Sequence, residues 1–183
     1  DQGRLLAAHE GAGPDAQLYH PRGMAIDAQD QVYVADTGGG RFVVFDASGN
    51  RVATYGTMGK DTGQFIEPTD LVVTENGDIF AVDNSNYRIQ HLDVFSRYLG
   101  EWAIPVANAY NGPHIELAPD GSLLVTAPEA GLIQRFAVDG TLLGQWGAGL
   151  MRIPVNLALK GDRLYVTDTL NHRIQVFQVQ TGQ

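Results

Sequence analysis

Apolar and polar residues alternate over short stretches of this chain, and nowhere does an apolar period of 3.6 residues last beyond one turn. The first clear unit runs from Gly23 to Gly56. It reads "GMAID", the polar turn "AQDQ", "VYVAD", the tight "TGGG", "RFVVF", "DASGN" and "RVATYG". Four strand-length pieces divided by Gly, Asp, Asn and Ser predict an up-and-down sheet, its strands lettered a to d from the inside outward. The pattern predicts an all-β chain with almost no helix. One such meander cannot bury both faces, so it must stack on others like itself.

The unit recurs. "VYVADTGGGRFVVF", "IFAVDNSNYRIQHL", "LLVTAPEAGLIQRF" and "LYVTDTLNHRIQVF" are anchored at Asp36, Asp83, Ala127 and Asp168, at intervals of 47, 44 and 41 residues, the length of a four-stranded propeller blade. "GRLLAAHEG", from Gly3 to Gly11, aligns with "GNRVATYG" and "GTLLGQWG", so it is a strand d without its own a, b and c, whereas the fourth copy stops after strand c. The reading is a single domain over residues 1–183, a β-propeller of four four-stranded blades at about 21–56, 68–102, 112–147 and 154–179. Residues 1–11 are expected to complete the last blade and close the ring without an open edge. The alternative is an arc of a six-bladed propeller, its other blades supplied by further sequence or another subunit.

The copies resemble the NHL repeat family of β-propellers. The strongest match is "YVTDTLNHRIQVF", where Asn171 and His172 fall on the first two letters of the family name; Gly39 and Gly40, Asn86 and Tyr87, and Ala130 and Gly131 hold those places in the other copies. The third letter is Arg in three copies. The resemblance implies a propeller, although family members usually close with six blades, and it implies little about activity because such folds host many functions. The family includes a lyase that uses a set of inner-strand histidines. Here the positions matching His114 hold Gly23, Asp70 and Asn156, so that chemistry is not implied.

Composition narrows the partners. With 183 residues, 44% apolar and 18% charged, the chain suits one buried core. Its formal charge of −9, with Lys and Arg spread singly, offers no cationic stripe for nucleic acid. No apolar run approaches the ~20 residues that cross a bilayer, and no charged-then-apolar leader precedes the first strand, so direct membrane insertion is not expected. The absence of cysteine removes disulfides, thiolate metal sites and cysteine nucleophiles. Compartment stays open, an extracytoplasmic one being slightly favoured, and the chain is compatible with a place in a larger multi-domain protein or assembly.

Repeated columns separate structure from chemistry. Asp36 and Arg41, Asp83 and Arg88, and Asp168 and Arg173 keep one spacing, and the third copy loses both charges together, as Ala127 and Leu132. That joint loss marks a structural ion pair. Tyr55, Trp102, Trp146 and, by alignment, His9 end strand d and read as packing between blades. His91 reads as solvent-exposed. Along strand a, Met24, Leu71, Ile115 and Leu157, with Ile26, Val73, Leu117 and Leu159, form an apolar core face. The alternate face looks into a central channel and carries Gly23, Asp70, His114 and Asn156, then Ala25, Val72, Glu116 and Ala158.

Asp70, His114, Asn156 and Glu116 are the best chemical constellation. Such groups converging on one axis can hold a hard cation such as Ca²⁺ or hydrogen-bond a polar ligand; equally, strand tips are polar wherever a water-filled channel meets them. His20 and His172 lie on the same face as His114, but nothing fixes three imidazoles for zinc. "GGG" at Gly38 to Gly40 lies between strands and reads as a turn, not a phosphate loop. The d-to-a and b-to-c connections share the upper face, where Tyr19, His20, Arg22, Phe65, Glu67, Tyr87, Tyr110, Asn111, Asn171 and His172 make an aromatic, amide-rich rim. Phe65 and Ile153 read instead as inward staples. The expected ligand contacts are Arg22, Asp70, Tyr87, Tyr110, His114, Glu116, Asn156, Asn171 and His172, and no residue is assigned a catalytic role. The expected function is non-catalytic binding or scaffolding, with a protein or carbohydrate recognised through the loop face. The alternative is a metal-dependent hydrolase or lyase with a divalent ion in the channel.

Overall fold

The computed structural model describes residues 17–104 and 112–179, together with Arg4 and Ala8. Among them are no α-helices, and four antiparallel blades form a four-bladed β-propeller. Blade 1 is β1 (Pro21–Ile26), β2 (Val32–Asp36), β3 (Arg41–Phe45) and β4 (Arg51–Tyr55). A short parallel pair, β5 (Thr57–Met58) and β6 (Gln64–Phe65), leads to blade 2: β7 (Pro68–Val73), β8 (Ile79–Asp83), β9 (Arg88–Leu92) and β10 (Tyr98–Ala103). Blade 3 is β11 (Ile115–Leu117), β12 (Leu123–Ala127), β13 (Leu132–Phe136) and β14 (Leu142–Trp146). Blade 4 has three strands, β15 (Pro154–Lys160), β16 (Arg163–Asp168) and β17 (Arg173–Gln178). The fourth strand expected from residues 1–11 lies outside the described residues, as do His9, Tyr110 and Asn111.

Turn chemistry explains why the meander folds back where it does. Asp46 and Asp93 open the c-to-d turns of blades 1 and 2, each accepting the backbone N–H two residues on at 2.9 Å; in blade 3 the turn opens at Ala137, and Asp139 inside it accepts the Thr141 N–H at 2.9 Å. The b-to-c turn of blades 1, 2 and 4 is one turn of 3-10 helix, at Thr37–Gly39, Asn84–Asn86 and Thr169–Asn171. A left-handed residue ends each of them: Gly40, Tyr87 and His172, at φ 61°, 57° and 53°.

Three apolar clusters join the blades. Tyr33, Ala35, Phe42 and Val44 of blade 1 meet Phe65, Leu71, Ile79, Ala81 and Leu92. Phe80, Val82 and Ile89 of blade 2 meet Ile115, Leu123, Val125 and Phe136. Leu124 and Ile133 of blade 3 meet Met151, Leu157, Leu164 and Val166. Each blade thus turns a leading face to the next blade and a trailing face to the one before. The strand-d rings take the packing role expected of them, Trp102 sitting 5.9 Å from Phe80 and 6.1 Å from Phe136. One hydroxyl also crosses each interface: Thr37 donates to the Pro68 carbonyl, Thr69 to that of Pro113 and Thr126 to that of Val155.

Among the described residues no cluster joins blade 4 to blade 1. The strand-a core face is therefore buried in three blades only: Leu71, Ile115 and Leu157 are buried, whereas Met24 and Ile26 are 67% and 64% exposed. In blade 1 the Met24 and Ile26 side chains of that face meet no apolar cluster among the described residues.

The ion-pair reading is confirmed. Arg41, Arg88 and Arg173 donate through Nε to Asp36, Asp83 and Asp168 at 2.8, 2.8 and 2.9 Å, and all three carboxylates are fully buried. Removing one member of such a pair strands the other, so Asp83→Ala is expected to cost about 3–5 kcal/mol in urea unfolding. The double variant Asp83→Ala/Arg88→Leu, which copies blade 3, should cost clearly less than the single one.

Candidate functional site

Strand a of every blade starts at the upper face and lines a central cavity of about 410 Å³. In blades 1, 2 and 4 its pairing with strand b shifts register near the start, between Pro21 and Met24, Pro68 and Asp70, and Pro154 and Leu157. Such a bulge re-aims the residues beside it. Arg22, Asp70, His114, Glu116 and Asn156, five of the nine expected ligand contacts, border this cavity together.

Asp70 is its most constrained group. One carboxylate oxygen, Oδ2, accepts from the Ile115 N–H at 3.1 Å and lies 3.0 Å from His114 Nδ1, both in the neighbouring blade. Facing a carboxylate, Nδ1 is the ring nitrogen that donates, which leaves Nε2 pointing away from Asp70. The His114 backbone N–H donates to Thr126, whose hydroxyl donates to Val155, so the bonds run from blade 2 to blade 4. On the other side, a Cβ at Gly23 would stand 2.1 Å from Asp70 Oδ1, so only glycine lets strand a of blade 1 pass this close.

Glu116 sits one layer deeper. Burial raises its pKa; the backbone N–H groups of Leu159 and Leu117 oppose the rise, and the charge of Asp70 adds to it. Glu116 also borders a lower cavity of about 610 Å³ that includes Asp78 and His91. His91 is not the plain surface residue expected: it stacks on Phe80 at 4.2 Å and its Nε2 approaches Asp78 at 3.3 Å. Among the described residues no three His, Asp or Glu side chains are grouped to hold a metal ion.

The upper rim is built by the same Asp–Arg pairs. Asp36, Asp83 and Asp168 accept the backbone N–H of Tyr19, Ile66 and Arg152 from the incoming d-to-a connection. Their arginines bond carbonyls of that connection, at Gln17, at Asp61 and Gln64, and at Leu150. Tyr19, His20, Arg22, Tyr87 and His172 are exposed on this rim, whereas Phe65 is fully buried against Phe42 and Ile153 is half-buried. Asn171 is placed otherwise than a free ligand contact: its amide donates to both Asp168 oxygens, at 3.0 and 2.9 Å. Asn86 donates to one Asp83 oxygen, Oδ2, at 2.8 Å and to the Gly59 carbonyl at 3.0 Å. Thr126 was missed from sequence; Gly23 was placed in the channel column, but its close approach to Asp70 is legible only in the structure.

The sequence profile described as NHL repeat matches residues 18–52, 65–92 and 151–177. Protein brain tumor of Drosophila melanogaster is 25% identical over 135 residues, 73% of this chain and 13% of that protein. The E3 ubiquitin-protein ligase NHLRC1 of Homo sapiens is 25% identical over 136 residues, 73% of this chain and 33% of the ligase. The chain thus spans a third or less of the length of these two relatives. A streptogramin B lyase structure superposes with a TM-score of 0.66 at 20% identity, over 93% of this chain and 57% of the lyase, a likeness of fold.

Two outcomes follow from the rim. Burial raises the Asp168 pKa, but the Arg152 N–H, the Asn171 amide, the Arg173 guanidinium and the Gln175 amide outweigh it and bring it to about 2. A folded-state pKa below the ordinary 3.8 means stabilisation that is complete above about pH 4 and is lost as pH falls toward about 2. The thermal midpoint of the wild type should drop through that window, and its gap to Asp168→Asn should narrow. Separately, His172→Gly removes a Cβ from a left-handed position and is expected to raise stability by about 1 kcal/mol in urea unfolding.

Proposed function

We infer that this chain, which belongs to the NHL repeat β-propellers, is a non-catalytic binding module that recognises a protein segment through its upper face. The observation that carries this reading is the meeting of two features. A polar cavity with the Asp70–His114 pair fixed across two blades opens under a rim of exposed Tyr19, Tyr87 and His172. Rigid aromatic side chains supply contact area at little entropic cost, and a few fixed polar groups supply orientation. Asp70 and Glu116 among the lining groups favour a ligand that brings a basic group to the channel mouth. Likeness to a relative named as an E3 ubiquitin-protein ligase supports a protein over a carbohydrate as the partner.

One observation favours a second reading. A carboxylate holding an imidazole by Nδ1 is also the way a general base is oriented, and the streptogramin B lyase likeness supports a reading as a hydrolase, in which His114 takes a proton from water, the hydroxide adds to a peptide carbonyl and the amine leaves with that proton. A displayed library of random peptides separates the two. Binding predicts enriched sequences rich in Lys or Arg, whose affinity falls at least about tenfold in each of Asp70→Asn, His114→Ala and Tyr87→Ala. Peptides that bind all three variants as well as the wild type would overturn this reading of the face. Peptides cleaved by the wild type and left intact by His114→Ala would establish the second.

A further inference from the structure

Under blades 2 and 3 lies the lower cavity of about 610 Å³, which plays no part in the recognition of a ligand at the upper face. A difference between copies goes with it. In blade 1 the Tyr33 hydroxyl reaches Asp27 at 3.3 Å. Blade 2 holds Phe80 and Thr74 at those two places, without the hydroxyl and with a shorter side chain opposite, and both residues border the cavity.

Two groups of its wall have bonding capacity to spare. His91 lies on Phe80 with the ring centroids 4.2 Å apart, so the imidazole is fixed. Its Nε2 is buried and makes no hydrogen bond, although an Asp78 oxygen stands 3.3 Å away. At the same cross-strand place in blade 3, Arg135 closes on Ser122 with a hydrogen bond of 2.8 Å. Asp78, whose side chain is 36% exposed, enters the hydrogen bonds of its turn only through its backbone. A carboxylate so placed keeps its acceptor capacity for a ligand. Glu75, Asp78 and Glu116 border the cavity and no lysine or arginine does, so its field is negative. Leu117, Val138 and Leu159 supply apolar wall.

We propose that the lower cavity binds a small organic amine, its ammonium held by Asp78 and its apolar body by the hydrophobic wall. Few fixed polar groups in a largely apolar concavity of this size are what such a ligand needs. The cation also offsets the burial of Glu116, which raises the pKa of that carboxyl. Neutral molecules of the same shape lack the charge, and methylamine lacks the body.

Nuclear magnetic resonance of the ¹⁵N-labelled chain, titrated with phenethylamine, 2-phenylethanol and methylamine, tests this. Phenethylamine should shift the backbone amides of residues 74–78 and 120–122 saturably, with a Kd of about 1 mM or tighter. The other two probes should bind at least about tenfold more weakly. Asp78→Asn keeps the shape and removes the charge, and Val138→Trp narrows the cavity from a position that is 47% exposed. Each should weaken phenethylamine at least about tenfold with the thermal midpoint unchanged, and Asp70→Asn, in the upper cavity, should leave it as in the wild type. Methylamine that binds as tightly, or shifts scattered over the acidic surface, would mean plain counterion attraction to a chain of formal charge −9 and overturn the proposal. Shifts centred on Asp70 and His114, no saturable shift at all, or wild-type affinity in Asp78→Asn would overturn it too.

Discussion

The buried pairing of an aspartate that ends strand b with the arginine that starts strand c is the constraint on which this architecture rests. A fully buried carboxylate survives only if its oxygens are occupied, and in blades 1, 2 and 4 they are. Part of that occupation comes from far along the chain. The Asp accepts the N–H of a residue 16 or 17 positions upstream, and the arginine bonds carbonyls of the same incoming segment. Each pair thereby pins the d-to-a connection to the b-to-c turn. The next strand a, which follows that connection directly, starts from a fixed point at the channel mouth. Blade 3 has no such pair, and there Thr126 bonds both strand a of its own blade and the Val155 carbonyl of the next.

Fixing the start of strand a makes the channel wall specific. Small residues allow the strands to crowd together, Gly23 passing so near Asp70 that any side chain would collide. Crowding withdraws Asp70 and Glu116 from water to different extents and with different partners. Asp70 is compensated by a neighbouring N–H and an imidazole, while burial remains the larger influence on Glu116 and raises its pKa. Glu116 borders both the upper and the lower cavity, so its carboxyl is the one acidic group of the channel wall among the described residues that faces both.

Much of this was legible in the sequence because repetition acts as an internal control. Four copies in register assigned strands, turns and the ion pairs, and the joint loss of charge at Ala127 and Leu132 identified those pairs as structural. What was not legible depends on neighbours. Alternation placed Met24 on the correct face, but whether anything covers a face is a property of the ring, not of the strand. Asn171 looked like a rim ligand because a turn amide near a channel is ambiguous until its acceptor is known, and that acceptor is Asp168. His91 looked exposed because its column varies, yet Phe80 beneath it offers a ring to stack on. The nearness of Asp70 and His114 was legible as a shared layer; their hydrogen bond depends on a bulge and an inter-blade offset that strand periodicity does not encode.

The order of the blades and the channel are linked by geometry. Strand a of blade 1 and strand a of blade 4 both border the cavity, and among the described residues each packs in an apolar cluster with a neighbouring blade on one side. Arg22 and Asn156, the polar groups those strands bring, therefore sit at the margins of the channel, whereas Asp70 and His114 sit at the joint of two fully flanked blades. A group held from both sides is pre-organised, and the Asp70–His114 pair, bonded across that joint and backed by Thr126, is the part of the channel mouth that a ligand finds already in place.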